Sequence, residues 1–232
     1  MRNSIESRFR TSIFIGLVGL CLTQTLPAGE FNPVLSIGDS APTWKELPAT
    51  DGKSYAFENF KDADVMVVVF TCNSCPYSVD YEDRIIKLAK HYQTSKESND
   101  VPRTDEANKK DPPKVAVVAI NVNLVKEDQL PAMKERAKKK EFNFPYLFDE
   151  TQQTAKDFGA TFTPEFFVLN RERKIVYMGA FDDSSDAKKV TRQHVYEAIE
   201  ATIAGKEIEV AETVAIGCGV RYKRTRRKRK IK

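Results

Sequence analysis

The feature that most constrains the fold of this chain is an uninterrupted apolar run, VMVVVF, at residues 65–70. A run of this kind predicts a strand that is buried on both faces, as the central strands of parallel sheets are. Residues 115–122, VAVVAINV, have the same character. Parallel strands need crossover connections, usually helices that cover the sheet, so the pattern indicates an α/β fold.

The segments around these two runs complete the predicted order of elements. Pro76 favours the start of a helix, and the apolar spacing extends that helix to about residue 92. Further helices are predicted at residues 127–140, 152–158 and 191–204, short strands at 54–57 and 144–148, and a hairpin at 165–169 and 174–178. We therefore expect a mixed central sheet with a terminal antiparallel hairpin and with helices on both faces.

The first 28 residues have the composition of an export signal. Three arginines lie within the first ten residues, an apolar run follows at 13–22, and Ala28 provides a small residue for cleavage. This run is too short for a stable membrane span, so we predict a cleaved signal peptide at 1–28 and a secreted or periplasmic protein. An uncleaved signal that anchors the protein to a membrane is the alternative.

The predicted mature chain consists of one domain, residues 29–222, and a basic tail, residues 223–232. Residues 93–114 are polar and hold three prolines, which indicates an insertion on the domain surface. The domain has 26 Lys and Arg against 32 Asp and Glu, whereas eight of the ten tail residues are Lys or Arg. Such a tail is typical of a solvated, disordered segment. Weak contact with anionic lipid is the alternative, and export makes nucleic acid an unsuitable partner.

The candidate site is the pair Cys72 and Cys75, between the first buried strand and the helix that begins at Pro76. A thiol at a helix N-terminus faces unpaired N–H groups and the positive end of the helix dipole, which stabilise the thiolate. The spacing lets one sulfur attack a disulfide and the other resolve the product. We expect Cys72 to attack, because it lies nearer the strand end and should be the more exposed sulfur, and Cys75 to resolve.

A CxxC pair can also bind zinc or form an inert structural disulfide. Structural zinc requires two further ligands, for which Cys218, His91 and His194 are the candidates, and the chain has no second CxxC. A bridge across two intervening residues contributes little through loop entropy. The strand–helix setting therefore favours a redox pair, and we predict no bound metal or cofactor.

Four short segments carry a family resemblance. They are IGDSAP at 37–42, FTCNSCPY at 70–77, GATFTP at 159–164 and IGC at 216–218. With these segments the chain resembles the thioredoxin superfamily, and more narrowly its exported redoxin branch of peroxiredoxin-like proteins and thiol–disulfide oxidoreductases. The resemblance spans about residues 36–222, and it implies a thioredoxin-like fold with redox activity at the CxxC pair.

By this resemblance, Thr163 and Pro164 form the second half of the site. The superfamily holds this proline in the cis form against the active-site disulfide, so the resemblance implies a cis Thr163–Pro164 bond. The Thr163 backbone would then face a bound peptide, which could pair with it as an added strand. An ordinary trans proline at the start of the strand is the alternative.

The chain departs from the thioredoxin pattern at two positions beside the pair. Thr71 stands where thioredoxins have a tryptophan, and Met66 stands where they bury a carboxylate. Asp80 and Glu82, early on the predicted helix, are then the nearby candidates for a proton acceptor.

The chain also departs from the peroxiredoxin pattern. Peroxiredoxins place their peroxide-reacting cysteine at the position of Cys75, with Thr or Ser three residues earlier and proline seven residues earlier. Those two positions hold Cys72 and Val68, and no arginine shortly precedes Pro164. These differences disfavour peroxidase activity, although any thiolate of low pKa reacts with peroxide to some extent.

Three functions are consistent with these residues. The leading hypothesis is an exported thiol–disulfide oxidoreductase that acts on protein or small-molecule disulfides and thiols with a redox partner protein, through Cys72, Cys75, Thr163 and Pro164. A peroxiredoxin-like antioxidant is the first alternative, and a non-catalytic module that binds a partner or carries a metal is the second. Cys218, between two glycines, is either a mobile third redox thiol or a small cysteine packed under a C-terminal arm.

Overall fold

A computed structural model describes residues 29–94 and 112–223 of the chain. The predicted signal peptide, most of the predicted polar insertion and nearly all of the basic tail lie outside the described residues. No helix in the described ranges is long and apolar enough to cross a membrane.

The centre of the fold is a five-stranded mixed sheet, which confirms the predicted α/β class. Its strands are β3 (Val65–Phe70), β4 (Val115–Asn121), β5 (Tyr146–Phe148), β7 (Glu165–Leu169) and β8 (Ile175–Gly179). They lie in the order β5-β4-β3-β7-β8. The first three are parallel, and β7 and β8 are antiparallel to their neighbours, as the predicted terminal hairpin requires.

The other elements flank this sheet. The helices are α1 (Pro76–Thr94), α2 (Leu130–Lys140), α3 (Gln153–Asp157) and α4 (His194–Ile203). Two short strands, β1 (Leu47–Pro48) and β2 (Ser54–Tyr55), pair with each other, and β6 (Phe162–Thr163) pairs with β9 (Cys218–Gly219). Short 3-10 turns lie at Phe57–Phe60 and Lys126–Asp128.

The sheet separates two apolar cores, because alternate side chains of β3 point to opposite faces. Val65, Val67 and Val69 pack against the three longer helices, α1, α2 and α4. Met66 and Phe70 face the second core, which is covered by the segment before β3 and by the five-residue α3. Helices therefore lie on both faces, as predicted, but most of the helical mass is on one face.

Several predicted boundaries are wrong for local reasons. Residues 127–140 are not one helix: α2 begins at Leu130, since Gln129 is extended and Pro131 occupies the first turn. The strand predicted at 144–148 begins only at Tyr146. The helix predicted at 191–204 begins at His194, because the Thr191 N–H is bonded to the Asp183 carboxylate at 2.9 Å. The strand predicted at 54–57 ends at Tyr55, and a 3-10 turn follows.

A matched pair of glycine substitutions tests the packing of the segment before β1 against the residues that follow α3. Gly159 and Gly205 each follow a helix with a left-handed φ, of +65° and +64°, but an added Cβ at Gly159 would lie 2.3 Å from Asn32 Oδ1, whereas Gly205 has open space. We expect Gly205→Ala to cost about 1 kcal/mol of unfolding free energy through backbone strain. Gly159→Ala should cost about 1–3 kcal/mol more because of the clash. Urea denaturation of both variants measures the difference, and equal losses would contradict this packing.

Candidate redox site

The CxxC pair lies where the sequence predicts it, between the end of β3 and the start of α1. Cys75 immediately precedes Pro76, the first residue of α1, so its side chain is in the N-cap position. The backbone N–H of Ser78, one of the unpaired donors of the first helical turn, bonds to the Cys75 sulfur. The helix N-terminus therefore supports a thiolate on Cys75.

A carboxylate that the sequence analysis missed holds the residues between the two cysteines. Asp128 is fully buried in the 3-10 turn before α2, and its Oδ1 accepts the N–H groups of Asn73 at 2.7 Å and Ser74 at 2.9 Å. The Ser74 hydroxyl donates to Asp128 Oδ2 at 2.5 Å. Because Asp128 lies more than 50 positions along the chain from these partners, no local sequence signal connects it to the pair.

The predicted second half of the site, Thr163 and Pro164, lies beside the CxxC pair. The Thr163–Pro164 peptide bond is cis. The Cys72 thiol donates to Thr163 Oγ1 at 3.5 Å, and the Cys75 thiol, when protonated, donates to the Thr163 carbonyl at 3.0 Å. The β3–β7 pairing brings these residues together, since it places Glu165, directly after the proline, opposite Phe70.

The third cysteine is also at the site. Cys218 lies in β9, where it pairs with Thr163, and its backbone N–H and its thiol both interact with the Cys75 sulfur. Cys72, Cys75 and Cys218, the three cysteines within the described residues, are all free thiols. The fold thus collects Cys72, Cys75 and Cys218 around one threonine.

The exposure predicted for Cys72 is wrong. Cys72 is 2 % exposed and Cys75 is 3 % exposed, so the pair is buried as a unit. Thr163 packs beside both sulfurs, and β9 adds a further layer that a short CxxC segment cannot reveal. Among the three described cysteines, only Cys218 is partly accessible to solvent.

The electrostatics distinguish the two sulfurs of the pair. A hydrogen bond from Cys72, with further donors from Cys218 and Ser78, lowers the pKa of Cys75 to about 4 against the opposing effect of burial. The same hydrogen bond, together with burial and the charge of Asp128, raises the pKa of Cys72. Donors around Cys75 outnumber its one acceptor, the Thr163 carbonyl. These donors favour the thiolate on Cys75 over Cys72, and this does not support the predicted order in which Cys72 attacks.

The proton acceptors expected from sequence are not at the pair. Asp80 is exposed, and Glu82 is held by Arg136 through two hydrogen bonds of 2.7 Å. The carboxylate that acts on Cys72 is Asp128. A second buried carboxylate, Glu165, accepts the N–H groups of residues 161 and 162, and burial raises its pKa to about 6.

The other residues considered from sequence lie elsewhere. Trp44 packs against Phe57 and Phe158 in the second core. His91 lies near the end of α1, and His194 begins α4. Within the described ranges, no three His, Cys, Asp or Glu side chains are placed to hold a metal ion.

Comparisons with known proteins agree with this geometry. The Redoxin family model matches residues 36–195, which include the CxxC pair and the cis proline. The chain belongs to the Redoxin family. A search of curated proteins finds no match to this Redoxin protein.

Solved structures show the same fold. A protein of Sinorhizobium meliloti 1021 described as hypothetical is 30 % identical, with a TM-score of 0.70, and the match covers 83 % of this chain and 97 % of that one. An uncharacterized conserved protein of Geobacillus kaustophilus is 28 % identical, with a TM-score of 0.71 and coverage of 84 % and 96 %. Peroxidoxin BcpB of Mycobacterium tuberculosis is 18 % identical, with a TM-score of 0.51 and coverage of 72 % and 97 %, and this likeness concerns the fold alone.

Titration of the reduced protein tests the position of the thiolate. Because the pKa of Cys75 is lowered to about 4, a thiolate absorbance at 240 nm should be present at pH 6 and disappear as the pH falls through about 4. Cys75→Ser should abolish this step. Cys72→Ala, which removes the main donor, should move the step to higher pH, and Cys72→Ser, which keeps a hydroxyl donor, should move it less. A step above pH 7 in the unmodified protein would contradict the assignment.

Glu165 should make the free energy of unfolding depend on pH, with its stabilising contribution greatest at acidic pH. Burial raises its pKa from 4.5 to about 6, so the folded state binds a proton more tightly than the unfolded state. Its contribution to stability is full below pH 4.5 and is lost as the pH rises through about 6. Denaturation at pH 4.5 and pH 7 should therefore show a smaller difference in Glu165→Gln than in the unmodified protein. An unchanged difference would show that Glu165 does not titrate in this range.

Proposed function

We propose that this Redoxin protein is a thiol–disulfide oxidoreductase whose redox pair is Cys72 and Cys75. The observation that carries the proposal is the position of two hydrogen-bonded thiols at a helix N-terminus, against a cis Thr163–Pro164 peptide, with a lowered pKa at one of them. A thiolate at neutral pH is the form of cysteine that attacks disulfides.

The contacts support a specific order of steps. The Cys75 thiolate attacks a substrate disulfide, forms a mixed disulfide with one half and releases the other half as a thiolate. Cys72 then loses its proton and attacks the Cys75 sulfur, which forms the Cys72–Cys75 disulfide and releases the second half. Two electrons pass from the pair to the substrate, and the reverse sequence oxidises a dithiol. This order reverses the one expected from sequence, because the donors converge on Cys75.

A hydroxyl links Cys72 to the buried carboxylate. The Cys72 sulfur lies 3.8 Å from Ser74 Oγ, and that hydroxyl donates to Asp128 at 2.5 Å. In our proposal the Ser74 hydroxyl and the Asp128 carboxylate take up the proton that Cys72 must lose before it can resolve the mixed disulfide. Asp128 thereby takes the role of the carboxylate that thioredoxins bury at the position where this chain has Met66.

We further propose the substrates and the location. Protein or small-molecule disulfides and thiols are the substrate class, and a separate redox protein restores the pair. The arginines, apolar run and Ala28 of the first 28 residues support export to a secreted or periplasmic location, where disulfides persist. N-terminal sequencing of the protein recovered from the exported fraction would locate the cleavage site.

Peroxide reduction is a second candidate because of one observation, the low pKa of Cys75. In that reaction the Cys75 thiolate takes one oxygen from the peroxide, leaving a sulfenic acid and an alcohol or water. A neighbouring thiol then condenses with the sulfenic acid to form a disulfide and water. Peroxide consumption that exceeds disulfide exchange under matched conditions would favour this function.

Paired cysteine variants test the proposed attack. In Cys72→Ser/Cys218→Ser protein, Cys75 is the one thiol of the site, and oxidised glutathione should form a mixed disulfide on it at pH 7. In the matched Cys75→Ser/Cys218→Ser protein, the same reaction at Cys72 should be at least about tenfold slower, because Cys72 is protonated. Mass spectrometry of intact protein and peptides measures both rates.

The alternatives give different results in the same experiment. Faster reaction at Cys72 would restore the order expected from sequence. Reaction at neither cysteine, together with no turnover of disulfides by the unmodified protein, would overturn the proposal and favour a non-catalytic module.

A further inference from the structure

The C-terminal arm, residues 216–222, covers the redox pair as an added strand. Within it, β9 pairs antiparallel with β6, so that Cys218 is opposite Thr163 and Gly219 is opposite Phe162. The pairing continues with the Val220 N–H, which donates to the Thr161 carbonyl at 2.8 Å. The arm therefore uses the backbone edge that the residue before the cis proline would offer to an incoming peptide.

A glycine makes this close approach possible. A Cβ at Gly217 would lie 2.2 Å from the Thr163 carbonyl oxygen and 3.1 Å from the Pro164 nitrogen. No side chain fits in that space, so the arm could not contact the cis peptide with any other residue at this position. At Gly219, two residues further along, the nearest atom to an added Cβ is the Thr161 oxygen at 3.9 Å.

Buried polar side chains clamp the arm just after Cys218. Asn123 Oδ1 accepts the Arg221 N–H at 3.0 Å. Gln152 donates to the Arg221 carbonyl at 3.0 Å and accepts the Lys223 N–H at 2.7 Å. Asn123 is 2 % exposed and Gln152 is 1 % exposed, so both amides are committed to the arm rather than to water. Cys218 is thus held at the site from both sides.

We propose that Cys218 is a third redox cysteine, a second resolving thiol that competes with Cys72 for the mixed disulfide on Cys75 and forms a Cys75–Cys218 disulfide. This inference rests on the proposed function. The geometry that carries it is the arm's strand pairing, the Gly217 approach and the clamp, which together hold one partly exposed thiol beside a buried thiolate. The arm then occupies, within the same chain, the position that a bound peptide would take.

The step balances without an external oxidant. The Cys218 thiolate attacks the Cys75 sulfur of the Cys75–substrate disulfide, the Cys75–substrate S–S bond breaks, and the Cys75–Cys218 S–S bond forms. The released substrate thiolate takes the proton that Cys218 lost. A donor thiol then attacks the accessible Cys218 sulfur and expels Cys75, which is a good leaving group because its thiolate is stabilised.

The charges around Cys218 favour its attack after Cys75 has bound a substrate and not before. While Cys75 is a thiolate, its hydrogen bond raises the pKa of Cys218 to about 11, together with the burial of Cys218 and the negative charge on Cys75. A mixed disulfide on Cys75 removes that negative charge, and the positive charge of Arg221, which lowers the pKa of Cys218, remains. The pKa of Cys218 therefore falls after Cys75 has captured a substrate, and the Cys218 thiolate then forms more readily.

Disulfide mapping of full-length Cys72→Ser protein tests the inference. Reduced protein is mixed with oxidised glutathione at pH 7, the remaining thiols are alkylated, and peptides are identified by mass spectrometry, with Cys21 mapped separately. We expect the Cys75–Cys218 disulfide in about tenfold excess over glutathione bound to Cys75, because the tethered thiol has a high effective concentration. Glutathione that stays on Cys75 while Cys218 is alkylated as a free thiol would overturn the inference.

Two arm variants provide the matched comparison. Gly217→Ala in the Cys72→Ser protein should reduce formation of the Cys75–Cys218 disulfide by about tenfold, because the added methyl group forces the arm away from Thr163. Gly219→Ala adds the same methyl group at an ordinary van der Waals distance from its nearest neighbour. This variant should leave the yield of the Cys75–Cys218 disulfide unchanged. Equal yields in both variants, with circular dichroism showing that both are folded, would count against the strand-paired arm.

The two proposals fail in different ways. If glutathione does not react with Cys75 in Cys72→Ser/Cys218→Ser protein, the proposed function fails. If glutathione reacts there but Cys218 does not displace it in Cys72→Ser protein, only the role of Cys218 is wrong.

Discussion

The antiparallel register between β3 and β7 is the constraint on which the site depends. It pairs Phe70 with Glu165, and so places the Thr163–Pro164 peptide beside cysteines that lie about ninety positions earlier in the chain. The register is held by apolar residues on both faces of β3. A slip of one residue would turn those side chains to the wrong core and separate the two halves of the site.

The chemistry of the pair follows from which polar groups the fold directs at each sulfur. Cys75 receives donors from the first turn of α1, from Cys72 and from Cys218, whereas Cys72 faces the buried Asp128 carboxylate. Burial alone would raise the pKa of both thiols. The donors oppose this effect mainly at Cys75, where they lower the pKa, whereas the pKa of Cys72 is raised.

The C-terminal arm gives the protein a feature beyond a two-cysteine site. Its backbone occupies the edge of β6, and two buried amides, those of Asn123 and Gln152, hold it there. The pair is therefore covered, and among the cysteines that the structure describes only Cys218 is partly exposed. The arm makes access to the pair a property of the tertiary structure rather than of the CxxC motif.

The sequence by itself determined the α/β class, the strand Val65–Phe70, the start of α1 at Pro76 and the cis proline implied by the family motif. These features depend on local patterns of apolar residues, on proline geometry and on short motifs. Only the tertiary structure decided which sulfur receives the hydrogen-bond donors, that Asp128 supports the pair and that Cys218 lies beside Cys75. The physical reason is that pKa values and access depend on groups brought together in space. Those groups come from the loop between β3 and α1, the first turn of α1, the 3-10 turn before α2, β6 and β9.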